Sequence, residues 1–181
     1  MAPARRNPAR KSSATDAIAL LKADHREVEG LFEQFQKTRS EERKKALAGK
    51  ICNALKLHTT IEEEIFYPAF LEATEEEDIH DEAEVEHEGA KKLIEEIEAS
   101  GPSEDYFDAR VKVLAEMIKH HVNEEEKRDG MFAKAKQSDM DLNALGQALK
   151  ARKKELMTGT GAKPRGGMLS HLLGRDASIT A

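Results

Sequence analysis

Residues 57–69 read LHTTIEEEIFYPA, and the positions of His58 and Glu62 within them decide the fold. Upstream, Leu47, Ile51 and Ala54 or Leu55 recur every three or four residues, the period of a helix with one apolar stripe. The same count continues onto His58, Glu62 and Ile65. An imidazole and a carboxylate, one turn apart, therefore stand on the face that should be buried. Either group costs free energy inside a bundle unless something satisfies it.

The same substitution recurs on three other helices. The first is predicted from a Thr15 or Asp16 cap to about Lys37, with Ile18, Leu21, Val28, Phe32 and Phe35 on its seam and His25 in the slot between Leu21 and Val28. The second starts at a Ser40 cap and runs to about Phe66, before Pro68. The third spans about Glu75 to Ala99, stops at Gly101-Pro102, and carries His87 among Ile79, Ala83, Ala90, Ile94 and Ile97. The fourth is capped by Ser103, with Glu104 and Asp105 in its first turn and Gly130 at its end. Its seam is Phe107, Val111, Leu114, Ile118, His121 and Glu125, so His121 and Glu125 repeat the spacing of His58 and Glu62. A fifth helix, residues 139–157, shows Leu142, Leu145, Leu149 and Leu156 and is expected outside the bundle.

Short loops between long helices imply an all-α, up-down-up-down four-helix bundle over residues 15–136. Depth then tests the polar positions. At 1.5 Å per residue, His25 lies ~15 Å from one bundle end, His58 and Glu62 ~12 Å, His87 ~18 Å, and His121 and Glu125 ~10 Å. Four separate seams reach one level of a bundle roughly 35 Å long.

Four imidazoles and two carboxylates at one level form a metal donor set. Nitrogen and oxygen donors without thiolate suit iron, manganese or zinc. Six side chains exceed one tetrahedral zinc and suffice for two ions bridged by Glu62 and Glu125. An open position on such a centre would take dioxygen, peroxide or nitric oxide.

Composition narrows the alternatives. The chain has 181 residues, 35% charged and 4% aromatic, with no Trp and a net charge of −6. That length supports a core, and the abundance of helix formers favours helix throughout. The acidic balance argues against nucleic acid as a partner. Cys52 is the only cysteine, which excludes an internal disulfide and makes a cytoplasmic location the default expectation. No apolar run approaches the ~20 residues of a membrane span, and the basic start lacks the apolar stretch of a secretory signal. Residues 1–14 read as a disordered basic head and residues 158–181 as a flexible, Gly-rich tail.

The stretches LLKADHREVEGLFEQF (20–35), LHTTIEEEIFYPA (57–69), EVEHE (84–88) and KHHVNEEE (119–126) resemble the hemerythrin-like (HHE cation-binding) family over roughly Asp16 to Lys136. The resemblance implies a hemerythrin-like bundle with a non-heme di-iron site, two irons of the Fe-O-Fe type, that binds oxygen or a related ligand. It carries over His25, His58, Glu62, His87, His121 and Glu125. Classical oxygen carriers of the family have a second His on the third helix; here the flanking positions are Ala83 and Lys91, and Glu84 is a candidate substitute. Where members show Phe-Pro, this chain has KRDGMFAKAK (127–136), which implies a looser exit from the fourth helix.

Oxygen binding, sensing or storage, a di-iron oxidoreductase acting on peroxide or nitric oxide, and iron storage all remain open on these residues, as do zinc or manganese in place of iron. No protein partner is specified. No nucleotide or nucleophile motif appears. Of the remaining polar residues, His120 is expected at the surface or supporting a ligand, His80 exposed, His171 in the tail, and Glu29 on the flank. Glu63, Glu64, Glu124 and Glu126 read as a solvated acidic face, Tyr67 as a packing residue with its hydroxyl in water, and Cys52 as a small core residue.

Overall fold

The structure is a computed structural model that describes residues 16–159; the expected head and tail lie outside the described residues, apart from Thr158 and Gly159. Helix α1 (Ala17–Lys37) is capped by Asp16, whose carboxylate accepts from the Ala19 amide at 2.8 Å. Helix α2 (Glu41–Ile61) is capped by Ser40. Helix α4 (Glu77–Glu98) and helix α5 (Phe107–Glu126) complete the bundle. The helices pack in the ring α1, α2, α4, α5, each antiparallel to its chain neighbour.

Two boundaries differ from the sequence expectation. The second helix does not stop at Pro68. A π-helical turn, Glu62–Phe66, leads directly into helix α3 (Tyr67–Thr74), which ends at Glu75 in the left-handed region, φ 56°. Proline in an α-helix removes one hydrogen bond and crowds the carbonyl four residues back. The wider turn, in which the Tyr67 amide donates to the Glu62 carbonyl, accommodates Pro68 without breaking the rod. Nor does the fourth helix start at Ser103. Residues 102–106 form turns, Glu104 caps the Gly101 amide at 2.9 Å, and α5 begins at Phe107 after Tyr106 at φ 68°. Phe107 is buried against Phe35, and that packing sets the start.

After α5 comes a short helix that the periodicity did not indicate, α6 (Met131–Gln137), then helix α7 (Leu142–Thr158), capped by Asp141 and closed by Gly159 at φ 68°. The exit from α5 is tight. A Cβ on Gly130 would lie 2.2 Å from the Glu124 carbonyl oxygen and 2.9 Å from that of Glu125, so only glycine lets the chain pass this close.

The apolar core is in two pieces. One holds Ile18, Leu21, Ile61, Phe66, Phe70, Met131 and Phe132, together with Leu145 and Leu149 of α7. The other holds Val28, Phe32, Leu55, Ile94, Leu114 and Ile118. On every bundle helix the break between them is the position of a predicted polar residue: His25 between Leu21 and Val28, His58 between Leu55 and Ile61, His87 between Ala83 and Ala90, and His121 with Glu125 beyond Ile118.

Candidate metal centre

All six predicted residues are buried and meet in the layer between the two core pieces: His25 1%, His58 6%, Glu62 0%, His87 1%, His121 4% and Glu125 2% exposed. The imidazoles form two pairs. The Nε2 atoms of His25 and His58 are 3.0 Å apart, and those of His87 and His121 are 3.3 Å apart. The carboxylates lie between the pairs. Glu62 Oε2 is 3.1 Å from His58 Nε2 and 3.5 Å from His87 Nε2. Glu125 Oε2 is 3.3 Å from His25 Nε2 and 3.7 Å from His121 Nε2. Each carboxylate thus reaches one imidazole of each pair, and the set is approximately two-fold symmetric.

The donor atoms fall into two groups that share Glu62 and within which every atom lies within 4.8 Å of every other: His25, His58, Glu62 and Glu125, and Glu62, His87 and His121. Both oxygens of Glu62 and Oε2 of Glu125 are buried without an aligned hydrogen-bond donor. Ring nitrogens converging at 3.0 Å in an apolar layer need a proton or a cation between them. A cation among them would satisfy the orphaned oxygens and the lone pairs together.

The other ring nitrogens explain residues that the seam count had left in solvent. His25 Nδ1 lies 2.9 Å from Glu126, His87 Nδ1 2.9 Å from Glu63, and His121 Nδ1 2.8 Å from Glu86. His58 Nδ1 faces Asp24 Oδ2 at 3.6 Å. A carboxylate at Nδ1 holds the proton there and turns the Nε2 lone pair inward, which is the tautomer a metal requires. Glu63 and Glu126 therefore do not belong to a solvated face; they fix imidazoles. Glu64 is also covered: Arg152 of α7 donates Nε to it at 2.7 Å. The adjacent Lys153 donates to Asp24 at 2.6 Å. Glu124 alone of that run stays near the surface, paired with Lys127.

Tyr67 is the clearest departure from the sequence reading. It is 0% exposed, and its hydroxyl donates to Glu125 Oε1 at 3.3 Å and sits 3.1 Å from His87 Nε2. Five α-helical residues past Glu62 would point about 140° off the seam. The π turn stacks residue 67 over residue 62 instead. The one available signal was the crowding of Ile65, Phe66, Tyr67 and Phe70, which breaks the three-four spacing by one residue.

Other candidates fall outside the layer. Glu29 pairs with Arg26 at the surface, and Glu84 turns toward His80, 4.0 Å away, so neither joins the donor atoms. His80 is partly covered by the Tyr67 ring rather than exposed. His120 lies at the surface, 3.2 Å from Glu86, the residue that also holds His121. Cys52 is a buried core residue whose thiol is pushed up to about 11, chiefly by burial. His171 is outside the described residues.

The charges are strongly coupled. Burial opposes ionisation of both His58 and Glu125. Glu62 and Asp24 nevertheless raise His58 to about 10, while His121 and His25 lower Glu125 to about 2. Burial also opposes the charge on Glu126, but Lys22 and His25 lower it to about 2. Burial, reinforced by Glu62 and Glu125, raises Tyr67 well above the ordinary phenol range.

A cavity of about 20 Å³ reaches the layer between α1 and α2. Asp24, Glu27, Thr59 and Lys153 stand at its outer side, and Val28, Leu55, Ile118 and Val122 wall it beside the imidazoles. Among the described residues no helix is long and apolar enough to cross a membrane.

Residues 16–133 match the family model described as the hemerythrin HHE cation binding domain. Over 110 residues the chain is 31% identical to a protein of Nostoc sp. named DNA nickase; the match takes in 59% of this chain and 30% of that one, so the chain spans under a third of that relative's length. The crystal structure of a hemerythrin HHE cation binding domain-containing protein from Mycobacterium kansasii aligns with a TM-score of 0.64 and 26% identity, covering 82% of this chain and 96% of the other.

Proposed function

The chain belongs to the hemerythrin HHE cation-binding domain family, and on that premise we propose that its buried layer holds two non-heme iron ions and binds dioxygen or a related small ligand, peroxide or nitric oxide. His25 and His58 hold one ion, His87 and His121 the other, and Glu62 and Glu125 bridge them. The observation that carries this reading is the position of the two carboxylates, each with an oxygen between imidazoles of opposite pairs. A single-ion site has no use for that arrangement. Six nitrogen and oxygen donors without sulfur favour iron or manganese over four-coordinate zinc.

When bound, the ions supply electrons and an open position for a small ligand. The chain's residues do the rest. Glu63, Glu86 and Glu126 keep the imidazoles of His87, His121 and His25 oriented with Nε2 inward, and Asp24 faces His58 Nδ1 at 3.6 Å. Val28, Leu55, Ile118 and Val122 keep the pocket apolar. A cavity of about 20 Å³ has room for little more than one water-sized molecule, which supports a ligand of one or two heavy atoms rather than an organic substrate.

The test is metal content per chain after iron-replete expression, with an optical spectrum in air. Two irons and an oxo-bridge band, both lost in His58→Ala, are the expected result. Turnover of hydrogen peroxide or nitric oxide by that protein would make it an oxidoreductase; a reversible oxygen-dependent band without turnover would make it a carrier or sensor. No stoichiometric metal would overturn the reading.

A further inference from the structure

His25 and His58 form with Glu62 and Glu125 a group of four donors whose atoms all lie within 4.8 Å of one another, and His87 and His121 form with Glu62 a group of three. Glu125 also reaches the second pair, its Oε2 lying 3.7 Å from His121 Nε2. The residue beside the group of three is Tyr67. Its ring is fully buried and tilted against His87, with ring centroids 5.3 Å apart. Its oxygen is 3.1 Å from His87 Nε2, an atom that faces the ion position, and 3.3 Å from Glu125 Oε1. A tyrosine that served packing alone would send its hydroxyl to water or to a backbone carbonyl. This one is delivered among the donors by a π-helical turn, a feature frequent at functional sites.

We propose that Tyr67 is the seventh protein donor of the centre, its phenolate oxygen binding the ion held by His87 and His121. The proposal rests on the two-ion reading above. Coordination replaces the hydroxyl proton by the ion's charge and releases that proton to solvent; a multiply charged cation inverts the local preference for the neutral phenol. A hard phenolate oxygen favours the ferric state of that ion, so the two irons are chemically distinct.

The chain has two tyrosines, and the other, Tyr106, is 75% exposed at the far end of α5, which makes the spectroscopic assignment unambiguous. Full-length protein is loaded with ferrous iron, oxidised in air, and examined by visible absorption and resonance Raman. The expected result is a phenolate-to-ferric charge-transfer band with tyrosine ring modes in enhancement. The band is lost in Tyr67→Phe and kept in Tyr106→Phe. In Tyr67→Phe one of the two irons is also released to a chelator about 10-fold faster or more. Wild-type protein that holds two irons but shows no tyrosine modes, or a band that survives Tyr67→Phe, overturns the role of Tyr67 and leaves the two-ion centre standing. Protein without stoichiometric iron overturns the two-ion reading and this proposal with it. Resonance Raman on the wild type alone decides the matter even where a variant folds poorly.

Discussion

Phe132 joins the end of the bundle to the metal layer, and its removal should be felt in both. The ring is 2% exposed, stacks on His25 with centroids 5.8 Å apart and planes 9° from parallel, and meets Phe66 edge-on at 5.7 Å. Phe132→Ala deletes a buried ring whose site is walled by fixed elements, α1, α3 and the π turn, so little collapse is available. The expected cost is about 3–5 kcal/mol, transfer and cavity together. For a chain of this size that lowers Tm by roughly 10 °C. His25 loses the surface that fixes its ring plane, so iron should also leave faster. Phe132→Leu keeps most of the volume and should cost no more than about 1.5 kcal/mol. Urea unfolding of the metal-free protein measures the first effect, and the rate of iron transfer to a chelator measures the second. A loss below about 1 kcal/mol in Phe132→Ala would refute the packing argument. A full loss of stability with an unchanged release rate would refute the coupling of Phe132 to His25.

Three further outcomes are expected. Replacing Glu63 or Glu86 by Ala frees the Nδ1 proton of His87 or His121 and should weaken metal binding by about 10–100-fold in a competition titration, with the helical circular dichroism unchanged. Gly130→Ala forces the Glu124 and Glu125 carbonyls aside, so it should both lower Tm and reduce iron content, a pairing that a substitution at an unconstrained loop glycine would not produce. In the metal-free protein, the value of His58 is raised from 6.5 to about 10, so its contribution is complete below about pH 6.5 and is lost as pH rises through 10. Glu125 and Glu126 are lowered from 4.5 to about 2, so theirs is complete above about pH 4.5 and is lost as pH falls through 2. Chemical denaturation across pH should therefore find greatest stability between about pH 4.5 and 6.5. A maximum in alkali would contradict this assignment.

The burial and convergence of six polar side chains were legible in the chain itself. His25, His58, Glu62, His87, His121 and Glu125 keep exact helical phase with their apolar neighbours, and a residue that keeps phase on an α-helix must face the core. The helix lengths and short loops then bring four such positions to one level. These relations are local, and spacing determines them. What tertiary structure decided lies where the phase slips or where one helix covers another. Tyr67 reaches the donors only because the π turn adds a residue to the period, and nothing local to residues 62–66 forces that turn; packing of Phe66 and Phe70 and relief of Pro68 select it. Glu63, Glu64, Glu86 and Glu126 have the polar spacing of a solvent face. They are enlisted by Nδ1 atoms from other helices and by Arg152 of α7, contacts 24 to 101 residues away along the chain. Helical phase fixes which side of a helix a residue is on, whereas the partner it meets there depends on the register between helices, which only the packed core sets.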